Sequence, residues 1–394
     1  MKHFLFITDW MNPFEPHYGG PQRSNVLIRA FLQMGDVDVI AFTDEIVSNM
    51  DGCKVLYSKE QRTSPHVSRF KKWSGLLTPW NPYSIYPINR EKEKIIDGFV
   101  AQKKYDAIIV RYVREAVPMG LLKYSDRLIV DIDDHPREEL RNMACQIHSK
   151  PNKIYHYIAS YLVDITVRGI ANMVKAACYP NPDQVVGKQG YFLPNISMDE
   201  PQTEYVKFDT TKPVLFFVGK LDYYPNYAGV DWFIDNVWPI VKEKVPNAEL
   251  RIGGKVVYEE VVKPYYDKWK QIEGISLLGF IEDINQEYNS CRATISPIFS
   301  GAGTNIKLIE SIQRKRVCVT TTCGMRGMKA FLKNGTEILV ASDAKEYAQQ
   351  CVTALTDELT NHRIARSAYD VYSNHFSSAA FNGIIKQIMG YNNK

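Results

Sequence analysis

Residues 296–328 read SPIFSGAGTNIKLIESIQRKRVCVTTTCGMRGM, and this order of residue types decides the architecture. An apolar run from Ala293 to Ser296 stops at Pro297, and a glycine-rich loop carrying Gly301 and Gly303 follows. The loop leads into a helix that Thr304 or Asn305 can cap, with Glu310 two turns in, and Val317 to Thr320 is a second β-branched apolar run. Strand, glycine loop, helix and strand make one unit of a parallel α/β sheet. Loop N–H groups and the positive helix end form an anion cradle, and a carboxylate on that helix can accept two ribose hydroxyls. The bland alternative is that Lys307 and Glu310, three apart, are a surface ion pair of little value.

Outward from this stretch the same alternation fills the chain. Candidate strands lie at 4–8, 37–42, 54–57, 107–110, 128–132, 174–178 and 191–193, then at 214–218, 249–252, 275–278, 293–296, 317–320 and 338–340. They read as two Rossmann-like halves facing across a cleft. Residues 194–212 are polar and acidic, contain Pro194 and Pro201, and lack apolar periodicity, which marks the linker. The expected division is 1–198, 199–375 and a terminal helix in 376–394. That helix carries Ala380, Phe381, Ile384, Ile385 and Ile388 at helical spacing and is expected to pack back on the first domain.

Three further motifs sit where α/β folds place ligands. In PVLFFVGKLDYYPNYAGVDWFIDNVWP, residues 213–239, Lys220 follows a strand and Gly219, placed as a point charge for a phosphate or else as a solvated loop lysine. In HYGGPQRSNVLIRAF, residues 17–31, Gly19 and Gly20 permit close backbone approach to a diphosphate, or simply serve a strand-to-helix turn, with Pro21 suited to a first helical position. The absence of GxGxxG counts against a nicotinamide or flavin site. In RLIVDIDDHPREEL, residues 127–140, Asp131, Asp133 and Asp134 could bind sugar hydroxyls, stabilise a developing cation or hold a divalent metal. Asp134 before Pro136, with Glu138 and Glu139 following, is equally a helix cap, and His135 reads as a surface or capping histidine.

Composition narrows the setting. The 394 residues, 45% apolar and 23% charged, exclude a disordered, collagen-like or small disulfide-stapled chain. The seven cysteines form neither CxxC nor a Cys/His ligand cluster, so a reducing cytoplasmic compartment and no structural zinc are expected. The first residues are too weakly apolar for a signal segment, and no 18-residue apolar run occurs. A net charge of +4 is too small to imply nucleic acid, but residues 52–104 hold eight Lys and three Arg against one Asp and three Glu. Within them RFKKWSGLLTPWNPYSIY, 69–86, mixes cations with Trp73, Leu76, Leu77 and Trp80, the makings of either a patch for anionic lipid or an acceptor-pocket loop.

Together these motifs resemble a family: retaining, nucleotide-sugar-dependent glycosyltransferases of GT-B fold, family 4 type. FVGKLDYYPN resembles the family's Gly-Arg/Lys strand end, LLGFIEDINQEYNSC its base-contacting loop, and GAGTNIKLIES the loop and helix of its Glu-x7-Glu motif. The GG loop and the strand ending in DIDDHP fall in the family's order. The resemblance implies that Glu310 holds the ribose and that Gly303, Thr304 and Asn305 offer N–H groups to diphosphate or sugar. It further implies that Lys220 contacts phosphate, that Phe280 and Ile281 contact the base, and that Gly19 and Gly20 form the loop over the diphosphate. Asp133 falls where many members carry a catalytic-site His, and Asp134 matches the Asp that follows it. Three departures stand out: Ala302 replaces the first Glu of the motif, Asn226 replaces a second phosphate-binding Lys for which Lys307 or Lys255 can substitute, and Asp133 replaces the His.

The activity so implied is sugar transfer from a nucleoside-diphosphate sugar to a glycan or lipid-linked acceptor, with retention, in cell-surface polysaccharide or glycoconjugate biosynthesis. No metal and no cofactor are implied, although the Asp131-x-Asp133 pair makes metal worth testing. The expected location is the cytoplasm, at the inner face of the cell membrane if the basic segment binds anionic lipid. The competing readings are a non-catalytic nucleotide-sugar-binding subunit, favoured by Ala302, and a GT-B epimerase or phosphorylase.

Overall fold

The computed structural model describes residues 2–15, 19–48, 50–60, 68–133, 135–146, 149–197, 201, 203–300 and 304–391. The chain divides into two compact units, 1–194 with 381–394, and 195–380.

The first unit is built on a seven-stranded sheet in the order β3-β2-β1-β4-β5-β6-β7. Its strands are β1 (Lys2–Thr8), β2 (Gly35–Ala41), β3 (Cys53–Ser58), β4 (Ala107–Arg111), β5 (Leu128–Asp131), β6 (Ala176–Tyr179) and β7 (Gly190–Phe192). Every pairing is parallel. Strands covered by helices on both faces must be apolar throughout, which is why runs such as Phe4–Ile7 and Ala107–Val110 are uninterrupted and fully buried. The helices are α1 (Gly19–Leu32), α2 (Arg69–Gly75), α3 (Pro82–Ile85), α4 (Arg90–Val100), α5 (Val113–Ala116), α6 (Pro136–Gln146) and α7 (Lys150–Met173). The first of them begins at Gly19, two residues before the proline that the sequence offered as its start.

The second unit repeats the plan with six parallel strands in the order β10-β9-β8-β11-β12-β13. Its strands are β8 (Val214–Val218), β9 (Glu249–Gly253), β10 (Ile275–Gly279), β11 (Ala293–Ser296), β12 (Val317–Thr321) and β13 (Leu339–Ala341). Around them lie α8 (Tyr224–Asn236), α9 (Trp238–Lys244), α10 (Glu259–Trp269), α11 (Ile284–Ser290), α12 (Ile306–Gln313), α13 (Ala344–Thr356) and α14 (Glu358–Val371). Trp238, Trp269 and Tyr347 are among the largest buried side chains of this unit, packed with Phe217, Phe233 and Leu250. The last helix, α15 (Ser378–Ile388), runs into the segment 381–394 that belongs to the first unit, where Lys2 Nζ lies 4.2 Å from the Tyr391 ring centroid.

In each sheet the strand order reverses beside the first strand, between β1 and β4 in one unit and between β8 and β11 in the other. Open α/β sheets bind ligands outside the carboxyl ends of the strands at such switch points. Among the described residues, Gly19 and Gly20 follow β1, Asp133 follows β5, Lys220 follows β8, Phe280 and Ile281 follow β10, and Thr304 and Asn305 follow β11.

Candidate active site

In the second unit the carboxyl end of β8 meets the start of α12. A Cβ added at Gly219 would stand 2.8 Å from Lys307 Cε, 3.3 Å from Lys307 Nζ and 3.0 Å from Asn226 Nδ2. Glycine at 219 is therefore what admits the lysine of α12, the helix after the neighbouring strand β11, to the end of this strand. Asn226 is buried and donates to the Lys220 carbonyl at 2.7 Å, which fixes the loop after β8. Burial holds the Lys307 amine below its ordinary pKa, and the attraction of Glu310 does not offset this. The Lys307 charge is thus under-compensated by its own surroundings. The cavity here, of about 230 Å3, is lined by Asn226, Ser300, Thr304, Asn305, Lys307 and Arg326.

Asn305 is the residue before α12, but its side chain makes no cap to the helix. It donates instead to Ser296 Oγ at 2.8 Å, tying the loop back to β11. The capping expected from the sequence gives way to this cross-tie, and so the helix-start N–H groups are not taken by the Asn305 carboxamide. Thr304 Oγ1 accepts from Asn195 Nδ2 at 3.2 Å. Gly303 lies outside the described residues, as does Ala302.

Lys220 is half exposed, with its Nζ 3.8 Å from Asp222 Oδ1. Asp222 in turn accepts from the backbone N–H groups of Val257 and Tyr258, at 3.1 and 3.0 Å. The loops after β8 and β9 are thus clasped by one carboxylate. Gly254 completes the clasp, because a Cβ there would stand 1.7 Å from the Gly219 carbonyl oxygen and its φ is +143°. Beside it a groove of about 790 Å3 runs between this loop, α10 and the end of β10, with Lys255, Tyr266 and Phe280 in its lining. Phe280 is exposed, whereas the Ile281 side chain turns inward over Gly253.

In the first unit the aspartates after β5 are held by arginines. Strand register pairs Arg111 with Asp131 at the ends of β4 and β5. Asp131 is fully buried; Arg23 of α1 grips it as a fork, Nε to Oδ2 at 2.8 Å and Nη2 to Oδ1 at 2.6 Å, and Arg111 Nε adds a third contact at 3.2 Å. Arg23 also donates to the carbonyls of Leu193 and Pro194, both at 3.0 Å. Arg111 then reaches the Asp133 carboxylate and the Gly20 carbonyl, and donates to Ser24 Oγ at 3.1 Å. Burial alone would lower the Arg111 pKa, but Asp133 and Asp131 reverse this and leave it raised. The Asp131-x-Asp133 pair is neutralised by guanidinium groups, which is not how a divalent metal site is left. Among the described residues no group of three or more His, Cys, Asp or Glu is arranged to hold a metal ion. Asp133 and Gly20 are brought together on one arginine, while Asp134 lies outside the described residues. His135 has its pKa pushed down to about 4 by burial and the nearby Arg137 charge, and it accepts from the Arg137 N–H at 3.3 Å.

The switch point of this sheet also holds groups that the motif reading passed over. Glu115, in the short helix after β4, is buried; it accepts from the Asp9 N–H at 3.1 Å through one oxygen, and its other oxygen is unpartnered among the described residues. Burial, then the Asp9 charge, push its pKa up to about 8, so it is largely protonated at neutral pH. Asp9 is paired with the buried Lys92. Tyr112, just before Glu115, has a φ of 63°, a left-handed backbone that a bulky residue adopts only under constraint, and its hydroxyl accepts from Arg111 at 2.9 Å. Charged residues at the ends of apolar strands, Arg111 after AIIV and Asp131 after LIV, were the available signal for this network.

This fold defines a structural class. Residues 212–357 match the family described as Glycosyl transferases group 1. The structure is similar over 97% of the chain to sucrose-phosphate synthase of Thermosynechococcus elongatus, covering 98% of that chain, with a TM-score of 0.65 and 13% identity. It is similar over the full length of both chains to HepE of Anabaena in complex with UDP and glucose, with a TM-score of 0.62 and 14% identity. The fold is GT-B, and with the family match it supports a glycosyltransferase. Among curated sequences the chain is 25% identical over 395 residues to an uncharacterised 44.6 kDa protein in the cps region of Klebsiella pneumoniae, covering 95% of this chain and 97% of that one. Among the described residues no helix is long and apolar enough to cross a membrane.

Proposed function

We propose that the protein transfers a sugar, with retention, from a nucleoside-diphosphate sugar to a glycan or lipid-linked acceptor in the assembly of a cell-surface polysaccharide. The carrying observation is the under-compensated Lys307 ammonium packed against Gly219 at the start of α12. It supplies the charge that Asn226 cannot, and a helix start and Lys220 stand in the same unit. UDP in the similar HepE structure supports a uridine nucleotide, and the cps region of the curated relative supports a polysaccharide product.

Transfer requires a departing diphosphate to be stabilised as the sugar carbon becomes cationic. In this reading Lys307, Lys220 and the α12 start neutralise the leaving diphosphate, and Glu310 holds the ribose. Phe280 and the Ile281 backbone flank the base. A leaving phosphate oxygen takes the acceptor proton on the face it vacates, so the new bond forms where the old one broke and configuration is kept. Donor belongs to the second unit, 199–375 in the sequence division. The acceptor belongs to the first, beside Gly19, Gly20, Asp133 and Asp134.

A thermal-shift panel of nucleoside diphosphates and their sugars tests the donor, because a specific ligand stabilises the folded state by mass action. UDP or UDP-sugars should raise the melting temperature of the wild type and not of Lys307→Ala; no shift with any nucleotide overturns the reading. Glu310→Ala should raise the donor KM at least about tenfold with a smaller change in kcat, the signature of lost ground-state binding. Turnover by the purified protein separates a transferase from a non-catalytic subunit. Product analysis separates it from an epimerase, which returns an isomerised donor or free sugar, and from a phosphorylase.

A further inference from the structure

We infer that the outer face of α7, together with the adjoining 69–86 segment, is a docking surface for an anionic lipid bilayer. The inner face of α7 is ordinary core: Tyr155, Ala159, Val163, Val167 and Ile170 are buried. The opposite face is apolar too. Ile154, Tyr157, Ile158, Tyr161 and Ile165 are between 38% and 63% exposed, and their spacing of 3, 1, 3 and 4 residues puts them in one stripe about 100° wide. A helix apolar on both faces belongs inside a core or against an apolar partner, and α7 has core on one side, with α6 flanking the stripe through Arg141, 5.1 Å from the Tyr161 ring centroid, and Cys145, 3.8 Å from the Tyr157 hydroxyl.

The ends of the stripe are cationic. Lys150 and Arg168 are exposed and fall within the same angular sector as Ile154 and Ile165, 18 residues or roughly 27 Å apart along the axis. Lys153 is exposed at its edge. Asp164, the one acidic residue of α7, is half-buried and paired with Arg137. The neighbouring segment continues the pattern, because Trp73 of α2 meets Tyr155 edge-on at 5.7 Å and Thr166 donates to the Pro79 carbonyl. That segment exposes Phe70, Leu77 and Trp80, and residues 61–90 contain five Lys and Arg and no acid. Apolar and aromatic side chains flanked by cations are the chemistry of an interfacial helix on anionic lipid. A second copy fits worse, because a two-fold contact would set this cationic face against itself.

The proposal deepens the lipid-linked acceptor reading above, and its test needs neither donor nor acceptor. The protein is floated with phosphatidylcholine vesicles with and without phosphatidylglycerol. It should float with the anionic vesicles only, release with added salt, and show a blue-shifted tryptophan emission on binding. Ile158→Asp with Ile165→Asp, and separately Lys150→Glu with Arg168→Glu, should each lower anionic vesicle partitioning at least about tenfold. All four side chains point outward, and circular dichroism melts should match the wild type. Failure of the wild type to float overturns the proposal, as does undiminished binding by the charge-reversed variant. A wild-type dimer that the Ile158→Asp, Ile165→Asp variant converts to a monomer assigns the face to a second copy and overturns it as well.

Discussion

Asp131 is wholly enclosed, and its two oxygens are shared between Arg23 and Arg111. Removing its charge leaves two buried guanidinium groups short of a counter-ion, which ordinarily costs about 3–5 kcal/mol. Asp131→Asn should therefore lower the urea midpoint of unfolding steeply, whereas a midpoint within error of wild type would show that the network is dispensable. Glu115 makes a prediction of the opposite kind. Its folded pKa, raised to about 8, lies above the ordinary value of 4.5, so between these values the unfolded chain has lost a proton that the folded chain keeps. Raising the pH through that window favours unfolding, by at most about 1.4 kcal/mol per pH unit. Urea midpoints at pH 5 and pH 8 should fall further for the wild type than for Glu115→Gln, and parallel pH profiles would contradict the assignment. Asp131 stood out in the sequence as one of three strand-end carboxylates, but its arginine partners did not, and Glu115 did not stand out at all. Arg23 and Asp131 are 108 positions apart and Asp9 and Lys92 are 83 apart, so only folding discloses that they are partners.

At the scale of elements, each strand of the two sheets lies within about two residues of the apolar run that announced it, because a strand covered on both faces has no polar alternation to confuse the reading. What the runs did not carry was the traffic between strand ends. Gly219 and Gly254 are the clearest case: each looks like an unremarkable glycine after a strand, yet each marks a close approach of other groups. Gly254→Ala would place a Cβ against the Gly219 carbonyl and strain a φ of +143°. It should cost several kcal/mol and weaken UDP-dependent thermal stabilisation more than Gly335→Ala, where a Cβ meets open space and only the φ of +77° is unfavourable. Equal losses in the two variants would show that the β8–β9 clasp does not shape the nucleotide site. The α12 start shows the same limit from another side. Its sequence allows a capping Asn305, but the carboxamide is better satisfied by Ser296 and is spent there.

On the scale of the molecule, two parallel sheets with the same switch-point plan place separate sets of charged groups at their carboxyl ends. Donor recognition by the second sheet has a direct test in hydrogen exchange on the intact protein. UDP should slow exchange in peptides spanning 214–226 and 304–326, and unprotected peptides there, alongside UDP binding by calorimetry, would move the donor site elsewhere. The sequence by itself determined the α/β class, the strand positions and the glycine, lysine and glutamate set around 296–328. These follow from local rules: burial on both faces demands apolar runs, and loops that approach ligands demand glycine. Only the tertiary structure decided that Lys307 comes to Gly219, that Arg23 and Arg111 pair with Asp131 and Asp133, and that α7 turns a second apolar face outward. A side chain's charge partner and the side of a helix left uncovered depend on which distant segments the sheet order makes neighbours, and no local pattern contains that order.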